Sequence, residues 1–168
     1  MHKKTPPLLT VKKSRNGKGI FAAQPLKKGE ILFKIDGVIA HYKELLNRPG
    51  KFQNNAFRIK PNHYLSPTGE FANFLNHSCE PNSKITKTKN SLYIVAAKNI
   101  SDKTEILIDY STTLAADDIW KMACNCGSKN CRKIIKNFTS LPAPLQKKYK
   151  SSGLVPKYIL DISMAVVE

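Results

Sequence analysis

Residues 74–83 read Phe74-Leu75-Asn76-His77-Ser78-Cys79-Glu80-Pro81-Asn82-Ser83: an apolar pair, then an amide, an imidazole, a hydroxyl and a thiol side by side, then a sharp stop at Pro81-Asn82. A histidine beside an asparagine is ordinarily a satisfied turn or core residue, and Cys79 alone would pass for a small buried hydrophobe. A second cluster weakens that plain reading. Cys124-x-Cys126-x4-Cys131, with Gly127 where the chain must fold back, holds the other three of the chain's four cysteines. Cys124 and Cys126 are too close in sequence for a comfortable disulfide, so metal binding in a reducing compartment is the better reading. Tetrahedral zinc takes four ligands, and a structural site rarely stops at three. If Cys79 closes the set, a metal staples the chain near residue 79 to the chain near residue 124.

At 168 residues the chain is long enough for one domain with its own core and needs no disulfide to hold it. Its 28 Lys+Arg against 12 Asp+Glu give a net charge of +16, a field that attracts polyanions such as nucleic acid or an acidic protein. Because 24 of the basic residues are Lys, the plainer reading of that charge is solubility. No apolar run reaches the roughly 18–20 residues of a membrane span, and the basic start lacks the apolar segment of a secretory signal. The expectation is a protein without a membrane partner, soluble in cytoplasm or nucleus, its own or that of a cell it is delivered into.

Short apolar runs broken by turn signals fill the chain from Val11 to Tyr110: GIFAAQ, ILFKI, VIAHY, NAFRIK, HYL, SLYIVAAKNI and TEILIDY. Runs of this length suit strands, and the β-branched TEILIDY suits an interior one. The fold class is therefore mainly β. KELLNRPG reads as one helical turn, STTLAADDIWKMA as a helix capped by Ser111 or Thr112, and the Leu/Val/Ile-rich tail as a short helix or strand docked on the domain. The first ten residues, with Pro6-Pro7, read as an extended lead-in. Gly17-x-Gly19 before a strand lets backbone approach a ligand closely, although a plain turn explains it as well. The third glycine and following helix of a dinucleotide fingerprint are missing. Tyr110 ends its strand with a hydroxyl either in water or aimed into a pocket.

GKGIFA at 17–22, NFLNHSCEPN at 73–82, TEILIDY at 104–110 and CNCGSKNCR at 124–132, in this order, resemble the SET-domain protein-lysine methyltransferases with a post-SET zinc segment. The likeness covers about residues 9–135. It implies a SET fold of small curved β-sheets, in which the segment carrying Asn76-His77-Ser78-Cys79 threads a loop around Tyr110 in a pseudoknot-like way. S-adenosyl-methionine would bind on one face, and the lysine of a protein substrate, such as a histone, would enter by a narrow channel from the other. Lys18, Gly19 and Ile20 would give backbone contacts to the cofactor, Asn76 and His77 would hold its amino-acid and adenine parts, and Tyr110 would be the catalytic tyrosine beside it. Cys79 would join Cys124, Cys126 and Cys131 on zinc, the role that ligand counting had suggested. The implied division is a SET domain over 9–113, a post-SET zinc segment over 114–135 and a C-terminal extension over 136–168.

The chain departs from the family pattern at three places. Ile35 stands where the family carries a channel tyrosine, which leaves Tyr42 or Tyr64 to fill the gap, and Asn73 replaces an arginine before the NHSC motif. Ile108 stands where relatives carry Phe or Tyr; it cannot hydrogen-bond the amine, so more than one methyl should be added. Either Ile134 or Phe138 would fold over the cofactor. The competing reading is a basic zinc-containing module that binds nucleic acid or chromatin without catalysis; it predicts salt-steep binding and no affinity for the cofactor.

Overall fold

The computed structural model describes residues 8–50, 53, 55–68 and 70–165. Among these residues the apolar runs form twelve short strands in five small sheets, as expected of a mainly β chain. The lead-in lies largely outside the described residues, and Leu9 already belongs to a strand.

Strands β1 (Leu9–Ser14) and β2 (Gly17–Ala22) form an antiparallel hairpin. Gly17 at its turn takes φ 92°, a conformation that costs glycine little. Next come β3 (Ile31–Ile35), β4 (Gly37–His41) and the single helical turn α1 (Tyr42–Leu46), whose first turn is capped by His41 Nδ1 accepting from Lys43 N–H. Strands β5 (Phe57–Lys60) and β6 (His63–Pro67) complete a sheet in the order β4-β6-β5. After the turn α2 (Glu70–Asn73), β7 (Asn76–His77) carries the polar cluster, and the hairpin β8 (Ser83–Thr88) with β9 (Ser91–Ala96) pairs against β3. Alternation works as the pattern demands: Leu92, Ile94 and Ala96 of β9 are buried beside Ile20, Ile35 and Ile85 in the main core. Each such aliphatic side chain contributes about 1.5–3 kcal/mol by leaving water.

TEILIDY does not form one continuous strand. Its first half lies along β2, with Ile106 N–H donating to Ile20 O at 2.7 Å and a bridge between Glu105 and Phe21. Its second half, β10 (Leu107–Ile108), runs parallel to β7. Asn82 laces the two segments: its N–H donates to Leu107 O, its Nδ2 to Glu105 O at 2.7 Å, and its Oδ1 accepts from Leu107 N–H at 2.8 Å. The asparagine after Pro81 thus satisfies buried backbone that a regular ladder would otherwise pair.

The helix expected over residues 111–123 is absent. Only a 3-10 turn, Tyr110–Thr113, forms, and its cap is Asp109, whose carboxylate accepts Ser111 N–H at 3.0 Å, not Ser111 or Thr112. The Thr pair and the Asp pair are weak helix formers, and the acids are drawn off by a tertiary partner described below. Strands β11 (Met122–Ala123) and β12 (Ile134–Ile135) bracket the cysteine segment. A second 3-10 turn, Phe138–Ser140, then leads to two helices, α3 (Ala143–Ser151) and α4 (Lys157–Ala165). Their apolar faces bury Phe138, Tyr149, Ile159 and Ile162 around Ala115 in a second core, so the tail docks as two helices.

Candidate active site

A cavity of about 930 Å3 runs between the β4-β6-β5 sheet, β7, the end of β10 and the cysteine segment; Asn76, His77, Tyr110, Tyr64, Asp117 and Trp120 are among its lining residues. That volume is within the ordinary range of small-molecule sites. Tyr110 is fixed at three points. Its hydroxyl donates to Leu75 O at 2.6 Å, its backbone N–H donates to His77 Nδ1 at 3.1 Å, and its ring meets His77 and Trp120 with centroids 5.2 and 6.3 Å away. Burial, assisted by the nearby Glu105 charge, raises the Tyr110 hydroxyl to about 12, so it stays neutral at any physiological pH.

His77 is buried, and that burial lowers it to about 4 against the opposing pull of Asp109. The ring is therefore neutral. Since Nδ1 accepts from Tyr110, its proton is on Nε2, 3.3 Å from Cys79 Sγ, a donor pointed at sulfur.

Of the residues expected near the cofactor, Asn76 and His77 line the cavity. Asn76 Nδ2 donates to Lys18 O at 2.9 Å, which ties β7 to the hairpin. Lys18 places its ammonium over the Phe74 ring, 5.2 Å from the centroid, and Ile20 is a core residue whose carbonyl is taken by Ile106. Among the described residues the hairpin's contribution to the cavity wall is Asn16. Ile35 is enclosed in the core; Tyr42 and Tyr64 both line the cavity. Phe138 is buried in the second core and Ile134 is exposed, while Trp120 occupies the wall beside Tyr110. Sequence reasoning passed over Trp120 because the helix assignment gave it no reason to face a pocket.

Cys79, Cys124 and Cys126 come together with His77, their ligand atoms all within 4.8 Å of one another. Cys79 Sγ lies 3.9 Å from Cys124 Sγ, and Cys131 Sγ lies 3.7 Å from Cys124 Sγ. Four sulfurs placed tetrahedrally at about 2.3 Å from zinc are about 3.8 Å apart; the Cys79–Cys124 and Cys131–Cys124 spacings match that, although Cys131 is not in the compact group that His77 forms with the other three cysteines. His77 joins the group by position but not by chemistry, because its Nε2 carries the proton. Burial pushes the Cys79 thiol up, an N–H donated by Arg132 at 3.3 Å opposes this only in part, and a bound dication would reverse it.

Next to the cysteines, Asp109 is wholly buried between the cysteine segment and the tail. Arg132 Nη2 donates to its Oδ1 at 2.7 Å, and Tyr149 of α3 donates to its Oδ2 at 2.9 Å. Across the cavity, buried Arg58 of β5 holds Asp117 with both terminal nitrogens and Asp118 with one, at 3.0 Å; Tyr64 donates to Asp118 at 2.6 Å. This network is what unwinds the expected helix. The Arg58 guanidinium holds the Asp117 carboxyl below its ordinary value, so the pair's stabilisation is complete above the unfolded value of about 3.9 and is lost as pH falls through the lower folded value. Arg58→Met, which leaves two carboxylates without their partner, is expected to cost about 3 kcal/mol and to lower Tm by roughly 6–12 °C. Calorimetric melting at neutral pH checks this; a shift under about 2 °C would mean that water already serves the two acids.

Residues 17–111 match the SET domain family. Histone-lysine N-methyltransferase 2D of Homo sapiens is 34% identical over 129 residues, 70% of this chain and 2% of the relative; histone-lysine N-methyltransferase 2B of Homo sapiens is 30% identical over 132 residues, 71% of this chain and 5% of the relative. The chain thus spans a small fraction of the length of the curated relatives it matches. The crystal structure of KRYPTONITE in complex with mCHG DNA and SAH superimposes with a TM-score of 0.62 at 28% identity, covering 80% of this chain and 30% of that one. With the match to the family running over more than half of its residues and the same small sheets in place, the chain belongs to the SET-domain family.

Proposed function

We propose that this protein transfers a methyl group from S-adenosyl-methionine to the side-chain amine of a lysine in a protein, with a histone as the first substrate to test. The observation that carries this reading is the Tyr110 hydroxyl, spent as a donor on Leu75 O at 2.6 Å inside the cavity that Asn76 and His77 also line. With its proton committed, the oxygen keeps lone pairs for the incoming group. It can accept an amine N–H and so aim the nitrogen lone pair, or accept a weak contact from a polarised C–H. The cofactor supplies the electrophilic methyl group; the chain's share is to hold a neutral amine in line with it. Positioning of this kind is worth several kcal/mol. Burial among Tyr110, Tyr64 and Trp120 would strip water from the amine and so favour its neutral form.

In this reading Asn76 and His77 contact the cofactor, Lys18 and Gly19 act through the backbone, and Tyr110 is the catalytic residue. Cys79, Cys124, Cys126 and Cys131 hold zinc, which ties the lid segment 114–135 to the SET portion 9–113. The extension 136–168 braces both. Relatives named as histone-lysine methyltransferases and a neighbour holding SAH, DNA and, in a second complex, an H3 peptide support the assignment. The +16 charge suits a substrate presented on DNA. Isotope-labelled S-adenosyl-methionine, incubated with the protein and core histones or a cell lysate, is expected to label protein lysines. Because Ile108, two positions before Tyr110, has no hydrogen-bonding side chain, mass spectrometry should find lysines carrying more than one methyl. Cofactor binding without transfer to any protein would count against the reading.

A further inference from the structure

Glu105, the second residue of TEILIDY, has had no role assigned to its side chain so far, yet the structure brings three elements to its carboxylate. Ser14 Oγ of β1 donates to Oε1 at 2.7 Å, and Asn76 Nδ2 of β7 donates to the same oxygen at 2.7 Å. On β2, a Cβ built on Gly19 would fall 2.1 Å from Oε1, so the second glycine of Gly17-x-Gly19 is needed because the carboxylate fills the space a side chain would take. The bridge between Glu105 and Phe21 holds this arrangement in register.

The consequence falls on Asn76. An amide NH2 has two protons, and here one goes to Glu105 Oε1 and the other to Lys18 O at 2.9 Å. The opposite flip would set Oδ1 against a carboxylate and a carbonyl, three acceptors with no proton between them, so the orientation is fixed. Oδ1 is thereby left without either of these partners, on a residue that lines the cavity. An acceptor with a carboxylate directly behind it suits a cationic donor.

We infer that Glu105 is a positioning residue for the cofactor's amino-acid end: it locks the Asn76 amide with Oδ1 forward and supplies the negative charge that favours the α-ammonium group there. This rests on the methyltransferase reading above. The discriminating probe is a pair of ligands, S-adenosyl-homocysteine and 5′-methylthioadenosine, which share the nucleoside and thioether but differ in the amino-acid part. By calorimetry, Glu105→Gln is expected to lose about tenfold in affinity for S-adenosyl-homocysteine, about 1.4 kcal/mol, and to bind methylthioadenosine within about twofold of the parent. Equal losses for both ligands, or a loss under twofold for the first, would overturn the inference while leaving the function standing. A parent protein that binds neither ligand would remove both. Should Glu105→Gln fail to fold, Ser14→Ala takes its place, since it strips one donor from Oε1 and keeps the charge. It is expected to weaken S-adenosyl-homocysteine alone, by about threefold; equal or absent losses again overturn the inference.

Discussion

Tyr110→Phe should lower methyl transfer by at least about a hundredfold, roughly 2.7 kcal/mol on the barrier, with affinity for S-adenosyl-homocysteine kept within a few-fold. The substitution deletes one oxygen. The ring packing against His77 and Trp120 and the backbone N–H to His77 Nδ1 survive it, so the pocket wall stays. What goes is the hydroxyl anchored on Leu75 O, and with it the only contact proposed to aim the amine. Loss of an interaction made at the reacting atoms lowers kcat without a matching change in ligand affinity. Turnover near the parent level would take Tyr110 out of the chemistry, and a parallel collapse of cofactor affinity would make it a scaffold residue.

Cys79→Ser should strip the protein of metal. Elemental analysis of the parent is expected to give about one zinc per chain, as a closed four-ligand site requires. After dialysis against chelator, Cys79→Ser and Cys126→Ser should retain little, because a structural site with one weak oxygen ligand gives up much of an apparent affinity on the order of 10–16 kcal/mol. Two further variants assign the fourth ligand. Cys131→Ser should lose metal like the others, whereas His77→Gln should keep it, since the His77 Nε2 proton, fixed by the Tyr110 N–H on Nδ1, leaves no lone pair for zinc. Metal retained by Cys131→Ser and lost by His77→Gln would reverse that assignment. Metal loss should also expose residues 120–135 to protease, because β11 and β12 pair over only two residues each and have little else to close them.

Much of the site was legible because its chemistry is dense and local. Asn76 through Cys79 are consecutive, and the three later cysteines fall within eight positions; counting ligands is enough to connect Cys79 with residue 124. The mainly β class followed from the length of the apolar runs. Other features depended on partners far along the chain. Residues 111–123 resemble a helix until Arg58, 59 positions before Asp117, claims the acids, and only then does Trp120 face the cavity. Ile20 reads as a backbone contact to the cofactor by resemblance; what its window does not carry is that Ile106 N–H takes its carbonyl while its side chain fills the core. Glu105 looks like an ordinary surface acid between Thr104 and Ile106, and its role emerges when Ser14, 91 positions away, meets it. Local windows carry chemistry and period; they do not carry which distant side chain answers which.

The tail contact at Asp109 bears on when the protein becomes competent during its own synthesis. Asp109 is wholly buried one position before Tyr110, and one of its oxygens is served by Tyr149 at 2.9 Å. A buried carboxylate oxygen short of its donor is costly, so a nascent chain that has emerged only as far as the cysteines would hold that acid, and the tyrosine beside it, open to water. On the proposed reading the site is complete only once α3 has left the ribosome and docked, because Tyr149 of that helix supplies the missing donor.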